Sequence, residues 1–189
     1  MKNIGKIQMN APVIIGFTVL SAFILLLGNL TGGASTITAF SVYRSDYHSV
    51  WFYVRIFGHV LGNTDWEVFV RNSLYILVLG PMLEEKYKSA NLLVMMIITS
   101  LITGLIYALM FTSPLCGSEC IVFMLMLLAS MSVIKDKKIP LSFIMVIIIY
   151  ICNVIAVRRF SSGDLNGLSG IIGGVCGAVF GHVMSTRKK

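Results

Sequence analysis

The fold is decided by an apolar run of twenty residues near the beginning of the sequence, APVIIGFTVLSAFILLLGNL, from Ala11 to Leu30. The run contains no charged residue, and about 20 apolar residues in a helix cross the ~30 Å hydrocarbon core of a bilayer. The 189-residue chain as a whole is 57% hydrophobic and 12% charged, with a mean hydropathy of +0.88. Soluble domains carry about 25% charged residues. The composition therefore excludes a soluble enzyme, a disordered chain and a secreted disulfide scaffold.

Five further apolar runs predict five further helices, at residues 66–83, 91–112, 118–134, 140–157 and 167–185. None of them shows the alternation of apolar and polar residues that is typical of strands. Backbone groups in lipid must be paired within the spanning element, which favours helices. We therefore predict an all-α membrane protein in which residues 1–189 form a single domain with six transmembrane helices in a bundle.

The connection between the first two spans, residues 31–65, is long and rich in aromatic residues that stand next to charged ones. Connections of this length are usually functional or have structure of their own. Aromatic side chains next to charges are typical of the layer of lipid headgroups. We predict that this outer loop is partly embedded in the membrane, and a simple interfacial loop is the alternative.

The distribution of lysine and arginine predicts the orientation, because cytoplasmic loops are enriched in both. With six spans the two termini share one side, and that side collects ten of the fifteen basic residues, including every lysine. We therefore predict a multi-pass protein of the cell membrane with both termini in the cytoplasm. This topology, together with anionic lipid, explains the net charge of +7 without nucleic acid.

The first apolar run, Ala11 to Leu30, is longer than the 7–15 residues of a signal-peptide core, so we interpret it as a retained span.

Four segments carry motifs that occur in a fixed order. The first is FGHVLGNTDW from Phe57 to Trp66 with Asn72 and then LGPMLEEKY from Leu79 to Tyr87. The others are LCGSECIVFM from Leu115 to Met124, PLSFI from Pro140 to Ile144, and SGIIGGVCGAVFG from Ser169 to Gly181. Together they resemble the rhomboid family of intramembrane serine proteases, over about residues 12–185. The second of them is similar to the family's nucleophile motif, Gly-x-Ser-Gly, and the last to Ala-His-x-x-Gly-Gly-x-x-Gly.

The resemblance implies a serine nucleophile at the start of the fourth span and a histidine base on the sixth, since a serine hydroxyl needs an adjacent base. Carried over residue by residue, the serine position is Glu119 and the histidine position is Gly170. The three histidines of the chain stand elsewhere, at His48, His59 and His182. We therefore expect no proteolysis of the rhomboid type.

The same resemblance assigns the positions that would hold the oxyanion or line the substrate cavity. The second-span histidine of the family is replaced by Val68, and another frequent histidine by Asn63. Asn72 and Gly117 keep the family's residues. Ser118 is the fifth cavity position, and its use as a replacement nucleophile is an alternative that would still lack the dyad histidine.

Glu119 is the most informative residue, because a carboxylate inside a membrane bundle is costly and usually has a partner or a function. The start of a helix favours an anion, and Arg71 on the second span is a candidate partner. The alternative is a glutamate that simply faces water at the outer mouth of the bundle.

Glycines and a glutamate pair indicate that the family's scaffold is retained. Gly173, Gly177 and Gly181 recur every four residues on the sixth span and Gly174 belongs to a second such ladder, a spacing that lets helices approach closely in lipid. We interpret the pair that begins with Glu84 as a cap on the cytoplasmic end of the second helix.

The sequence therefore predicts a non-proteolytic rhomboid relative whose cavity binds transmembrane segments of client membrane proteins, a role taken from family analogy. One alternative is an active rhomboid-type serine endopeptidase with unusual catalytic residues. The other is an assembly or lipid-packing partner without a client cavity.

The sequence shows no metal cluster, phosphate-binding loop or dinucleotide fingerprint, so we expect no metal and no cofactor. The expected partners are the lipid bilayer and client segments, without nucleic acid, and the oligomeric state is left open.

Overall fold

The computed structural model describes residues 11–44, 49–111, 114–132, 141, 144–149, 152 and 166–186. Within these ranges seven helices have defined bounds: α1 Pro12–Leu30, α2 Ala34–Phe40, α3 Val50–Gly58, α4 Trp66–Tyr87, α5 Ser89–Met110, α6 Glu119–Ser132 and α7 Asn166–Thr186. In the same ranges, extended pairing is limited to an isolated bridge between Val42 and Leu115. The predicted all-helical class is confirmed.

The helices differ from the predicted runs mainly at their ends. α4 continues beyond the predicted end at residue 83 as far as Tyr87, and α5 covers residues 89–110 where 91–112 was predicted. The two helices are separated by Lys88, whose φ of 70° is rare for a residue with a side chain and stops the helix. The fifth predicted span, residues 140–157, lies largely outside the described residues, although residues 144–149 are helical.

Two helices of the described ranges, α1 and α5, are long and apolar enough to cross a bilayer, each with a mean hydropathy of 2.4. α6 and the segment Ser169–Met184 are shorter apolar helices. α4 is long but more polar, because charged residues stand in its first two turns and in its last two. The count of six spans stays a prediction.

The connection between α1 and α4 contains the two short helices α2 and α3. The exposed face of α3 carries Trp51 and Tyr53, while Ile56 on its other face is buried. α3 packs on α5, where the Ser100 hydroxyl donates to the Ile56 carbonyl over 3.1 Å. An added Cβ at Gly104 would lie 2.7 Å from the same carbonyl oxygen. α3 is therefore an amphipathic helix held tightly against α5.

α6 is the central helix of the described bundle. Every residue from Cys120 to Leu125 is buried, so the helix is covered on all its faces, by α4, α5 and α7. A helix that is apolar all round belongs in an interior. Its start is anchored by two backbone hydrogen bonds, from Val42 N to Leu115 O (2.9 Å) and from Leu115 N to Val42 O (2.8 Å). The segment just before α6 thus has a fixed place at the end of the bundle.

A buried carboxylate joins α4 to the beginning of α1. Glu84 is 2% exposed, and its two oxygens accept hydrogen bonds from Val13 N (3.0 Å) and Ile14 N (3.1 Å). The first N–H groups of a helix have no partner within the helix, and Ala11 at the N-cap of α1 supplies no side-chain cap. The interpretation of Glu84 as a cap on its own helix is therefore wrong, because the carboxylate caps α1.

Candidate functional site at the start of α6

Glu119 is the first residue of α6, and its carboxylate pairs with Arg71 on α4. Arg71 Nη2 lies 3.4 Å from Glu119 Oε1. The side chains are 52% and 30% exposed, respectively, so the pair lies at an open end of the bundle. A carboxylate in the first turn is also favoured by the helix dipole. The structure thus contains the pairing of Glu119 with Arg71 that the sequence suggested.

The packing of α7 along α6 locates Gly170, the position that the resemblance assigns to the histidine. An added Cβ at Gly173 would lie 2.7 Å from Cys120 Cα, and one at Gly177 would lie 3.0 Å from Met124 Cα. The two helices are therefore parallel and in register. The buried Gly170 lies one turn before Gly173, about 4.5 Å along the axis, which in this register is level with Gly117 in the turn just before α6. The two positions that the resemblance assigns to the dyad thus lie at the same end of the bundle, with a carboxylate at one and no side chain at the other.

The remaining glycines of α7 extend this contact. An added Cβ would lie 2.5 Å from the Phe123 ring at Gly174 and 2.6 Å from Met131 Cβ at Gly181. Real Cβ atoms do not approach other atoms this closely, so the side chains of Phe123 and Met131, or the helices that carry them, would have to move for a larger residue. Close approach of this kind is how helices associate in lipid, where apolar burial gives little driving force.

The turn before α6 depends on Gly117. Its φ of 141° lies in the region that residues with side chains rarely adopt, and its N–H donates to the His59 carbonyl over 3.0 Å. Ser118 follows; it is buried, and its carbonyl accepts the hydrogen bond from Val122 N (3.0 Å) that opens the helix. The carbonyl of Ser118 is therefore the acceptor of the first hydrogen bond of α6, and the residue directly precedes Glu119.

The structure separates the two asparagines that the resemblance places at the cavity. Asn72 is buried on α4, beside Arg71, and its Nδ2 has no hydrogen-bond partner among the described residues. Val68, one turn before it, is half-buried. Asn63 is tied to α1, because its Nδ2 donates to Ser21 Oγ over 3.1 Å. Sequence reasoning missed Ser21, since nothing in the local pattern links residues 42 positions apart.

Neither histidine of the described residues stands at a position that the resemblance assigns to the dyad. His59 is fully buried after α3, with Nδ1 2.9 Å from the Ile56 carbonyl oxygen. Burial lowers the pKa of His59 to about 4, against backbone hydrogen bonds that raise it, so the ring is neutral at pH 7. His182 is exposed on α7, about 18 Å of helix beyond Gly170. His48 lies outside the described residues.

Metal-ligating side chains do not cluster in the described part of the chain, where no three His, Cys, Asp or Glu residues could hold an ion together. Cys116, Cys120 and Cys176 are free thiols. The chemistry of the site therefore rests on the ion pair of Arg71 with Glu119 and on the buried amide of Asn72.

The comparisons with known proteins bear on the same region. A family model described as the rhomboid domain matches residues 50–187, which is well over half of the chain. The match begins at α3, continues through α7 and includes both Glu119 and Gly170. No curated protein matches the chain.

Proposed function

Because the chain belongs to the rhomboid family of integral membrane proteins, we propose that it is a six-span member without the protease dyad. In this proposal it binds transmembrane segments of client membrane proteins and does not cleave them. The observation that carries the proposal is the pair of residues at the dyad positions, Glu119 and Gly170. The lipid bilayer is the environment in which both would act.

The chemistry of peptide hydrolysis argues against catalysis by these residues. A hydroxyl or carboxylate nucleophile needs a neighbouring group that takes or gives a proton. Glu119 pairs with Arg71, and a guanidinium stays protonated in proteins, so this partner cannot act as a base. Gly170 has no side chain to offer. Of the described histidines, His59 is buried against the Ile56 carbonyl and His182 stands far along α7.

The features that remain at the site suit binding. Asn72 offers a buried amide N–H that is unpaired within the described residues. Side-chain hydrogen bonds between helices in lipid contribute about 1–2 kcal/mol in model peptides. A carbonyl on a client segment would reach this donor once the packing around it opens, since Asn72 is 3% exposed. The charge distribution of the whole sequence supports a multi-pass arrangement with both termini in the cytoplasm.

The first test restores the dyad. The full chain is reconstituted in liposomes with a single-span model substrate, and cleavage is followed by mass spectrometry. We expect no cleavage by the natural chain and measurable cleavage by the double variant Glu119→Ser with Gly170→His. The matched control combines Glu119→Ser with Val175→His, which puts the histidine on an exposed position of the same helix. Cleavage by the natural chain that Ser118→Ala abolishes would overturn the proposal in favour of an active endopeptidase with unusual residues.

The second test addresses client binding. Gly170→Phe fills the position of the missing histidine, and Val175→Phe adds the same side chain on the exposed side of α7. A tagged single-span protein is co-reconstituted, and the bound fraction is measured by affinity purification in mild detergent. We expect Gly170→Phe alone to reduce binding. Equal binding by both variants would show that clients do not use this cavity.

A further inference from the structure

An apolar groove with a volume of about 410 Å³ lies between α1 and α5, beneath the end of α3. Among the described residues that line it, Ser100 is the one with a polar side chain, and its hydroxyl is already bound to the carbonyls of Ile56 and Phe57. The lining includes none of the residues at the dyad, oxyanion or cavity positions. The groove is therefore a feature apart from the site at the start of α6.

The length of the groove corresponds to half of a bilayer. Its α1 wall runs from Pro12 to Leu20, which is about 12 Å of helix. One leaflet contributes about half of the ~30 Å hydrocarbon core, or roughly 15 Å. Phe57 of α3 and the following Val60 and Leu61 also line the groove, and Leu61 lies at the Leu20 end of the α1 wall, where its carbonyl accepts a hydrogen bond from the Ser21 hydroxyl over 2.7 Å. A partner helix that crosses the whole bilayer would meet α3, whereas a chain from one leaflet ends where the groove ends.

The walls of the groove favour a flexible apolar occupant. Phe17 and Met96 are large apolar residues of the α1 and α5 walls, while interfaces between membrane helices are enriched in small residues and polar pairs. Leu20, Leu93 and Ile97 are each more than 40% exposed, so the groove is open along its length to whatever surrounds the bundle. In a membrane protein these surroundings are the acyl chains of lipids.

Gly16 leaves the middle of the groove open. An added Cβ at this residue meets no atom within 4 Å, whereas one at Gly80, where α1 meets α4, would lie 2.6 Å from Ile14 Cδ1. The space beside Gly16 is thus unfilled by the described residues, and unfilled apolar space forfeits dispersion contacts. A glycine also weakens a helix relative to alanine, so helix propensity does not explain its presence here.

From this geometry we propose that the groove holds one acyl chain of a phospholipid from the surrounding bilayer. The walls bind the chain along one leaflet, and the end of α3 limits how far it reaches. The proposal rests on the membrane location of the family and is independent of client binding and of catalysis.

The test fills the groove from its α1 wall. Gly16→Trp places a large apolar side chain in the open space, and Val19→Trp puts the same side chain on a position of α1 that is 63% exposed and outside the groove. The full chain is delipidated in mild detergent and titrated with a phosphatidylglycerol of defined chain length, and bound lipid is counted by native mass spectrometry. We expect one saturable lipid for the natural chain and for Val19→Trp. For Gly16→Trp we expect roughly tenfold weaker binding or worse, since excluding about two methylene groups suffices for that loss.

A second variant keeps the test decisive if Gly16→Trp does not fold, as judged by its helical circular dichroism. Leu93→Trp fills the groove from the α5 wall and is expected to weaken lipid binding in the same way. Equal lipid binding by the natural chain and by a folded groove variant would overturn the proposal. Photo-crosslinking from position 93 in native membranes to a polypeptide, with no crosslink to lipid, would also overturn it.

Discussion

Replacing Glu84 by glutamine is expected to destabilise the protein strongly, because this buried carboxylate holds the beginning of α1. Its two oxygens accept hydrogen bonds from Val13 N and Ile14 N at 3.0 and 3.1 Å, and the residue is 2% exposed. The helix has no other side-chain cap at its N-terminus. Glutamine has nearly the same shape but keeps one acceptor oxygen, so it turns an N–H donor towards one of the two backbone donors.

The expected loss in the free energy of unfolding follows from the two hydrogen bonds that Glu84 accepts. A hydrogen bond to a charged group contributes about 1.5–3 kcal/mol, a neutral one about 0.5–1.5 kcal/mol, and a buried donor without a partner costs about 1–3 kcal/mol. Glutamine weakens one bond and loses the other, so we expect the free energy of unfolding to fall by about 2–4 kcal/mol. Alanine would lose both bonds and leave a cavity as well, so its effect should be larger.

Unfolding is measured on the full chain in mixed micelles with increasing denaturing detergent, using far-ultraviolet circular dichroism. Glu85→Gln is the matched control, because Glu85 is the next residue in the chain and is exposed. An exposed substitution of this kind changes stability by about 0.5 kcal/mol or less. If Glu84→Gln unfolds at the same detergent fraction as Glu85→Gln, the carboxylate does not hold α1 and the reasoning is refuted.

Three further outcomes are expected. Gly177→Ala puts a methyl group 3.0 Å from Met124 Cα and should lower the free energy of unfolding by about 1–3 kcal/mol, while Val175→Ala on the exposed side should not; equal effects would contradict the close helix contact. Burial lowers the pKa of His59 to about 4 from 6.5, so the unfolded chain takes up the proton first. The contribution of His59 to stability should be constant above about pH 6.5 and fall by about 3 kcal/mol towards pH 4, and a pH slope of the same size in His59→Asn would contradict this. Burial raises the pKa of Cys116 to about 11 from 9.0, so in a variant without other cysteines its maleimide labelling at pH 8 should be about a hundredfold slower than in the unfolded chain; similar rates would refute its burial.

The periodic and compositional features of the sequence predicted the helices well. The apolar run from Ala11 to Leu30 and the helix Pro12–Leu30 differ by one residue. α4 extends beyond its apolar run because its polar end is stabilised from outside the helix, by the contact of Glu84 with α1. A hydropathy pattern cannot register such a contact, because the two partners lie 71 positions apart in the chain.

The candidate site was predictable to the extent that its residues share one end of the bundle. Arg71 lies near the start of α4 and Glu119 at the start of α6, so a topology that brings these two starts together also brings the charges together. Local patterns carry no such information for Asn63, which the resemblance places at the cavity but whose Nδ2 binds Ser21 on α1. The open space beside Gly16 was not predictable either, since it depends on how α1, α3 and α5 pack.

The interactions that hold the fold and the residues at the dyad positions are physically separate. Among the described residues, the cap of α1 by Glu84 and the glycine contacts between α6 and α7 hold helices together, and neither involves Glu119 or Gly170. The ion pair of Arg71 with Glu119, at 52% and 30% exposure, contributes at most about 1 kcal/mol on the scale of exposed pairs. This is less than the 2–4 kcal/mol expected for the single oxygen exchanged in Glu84→Gln. A carboxylate at position 119 is therefore poorly explained by stability, which leaves its partly exposed place at the start of α6 as the feature that the proposed client binding would use.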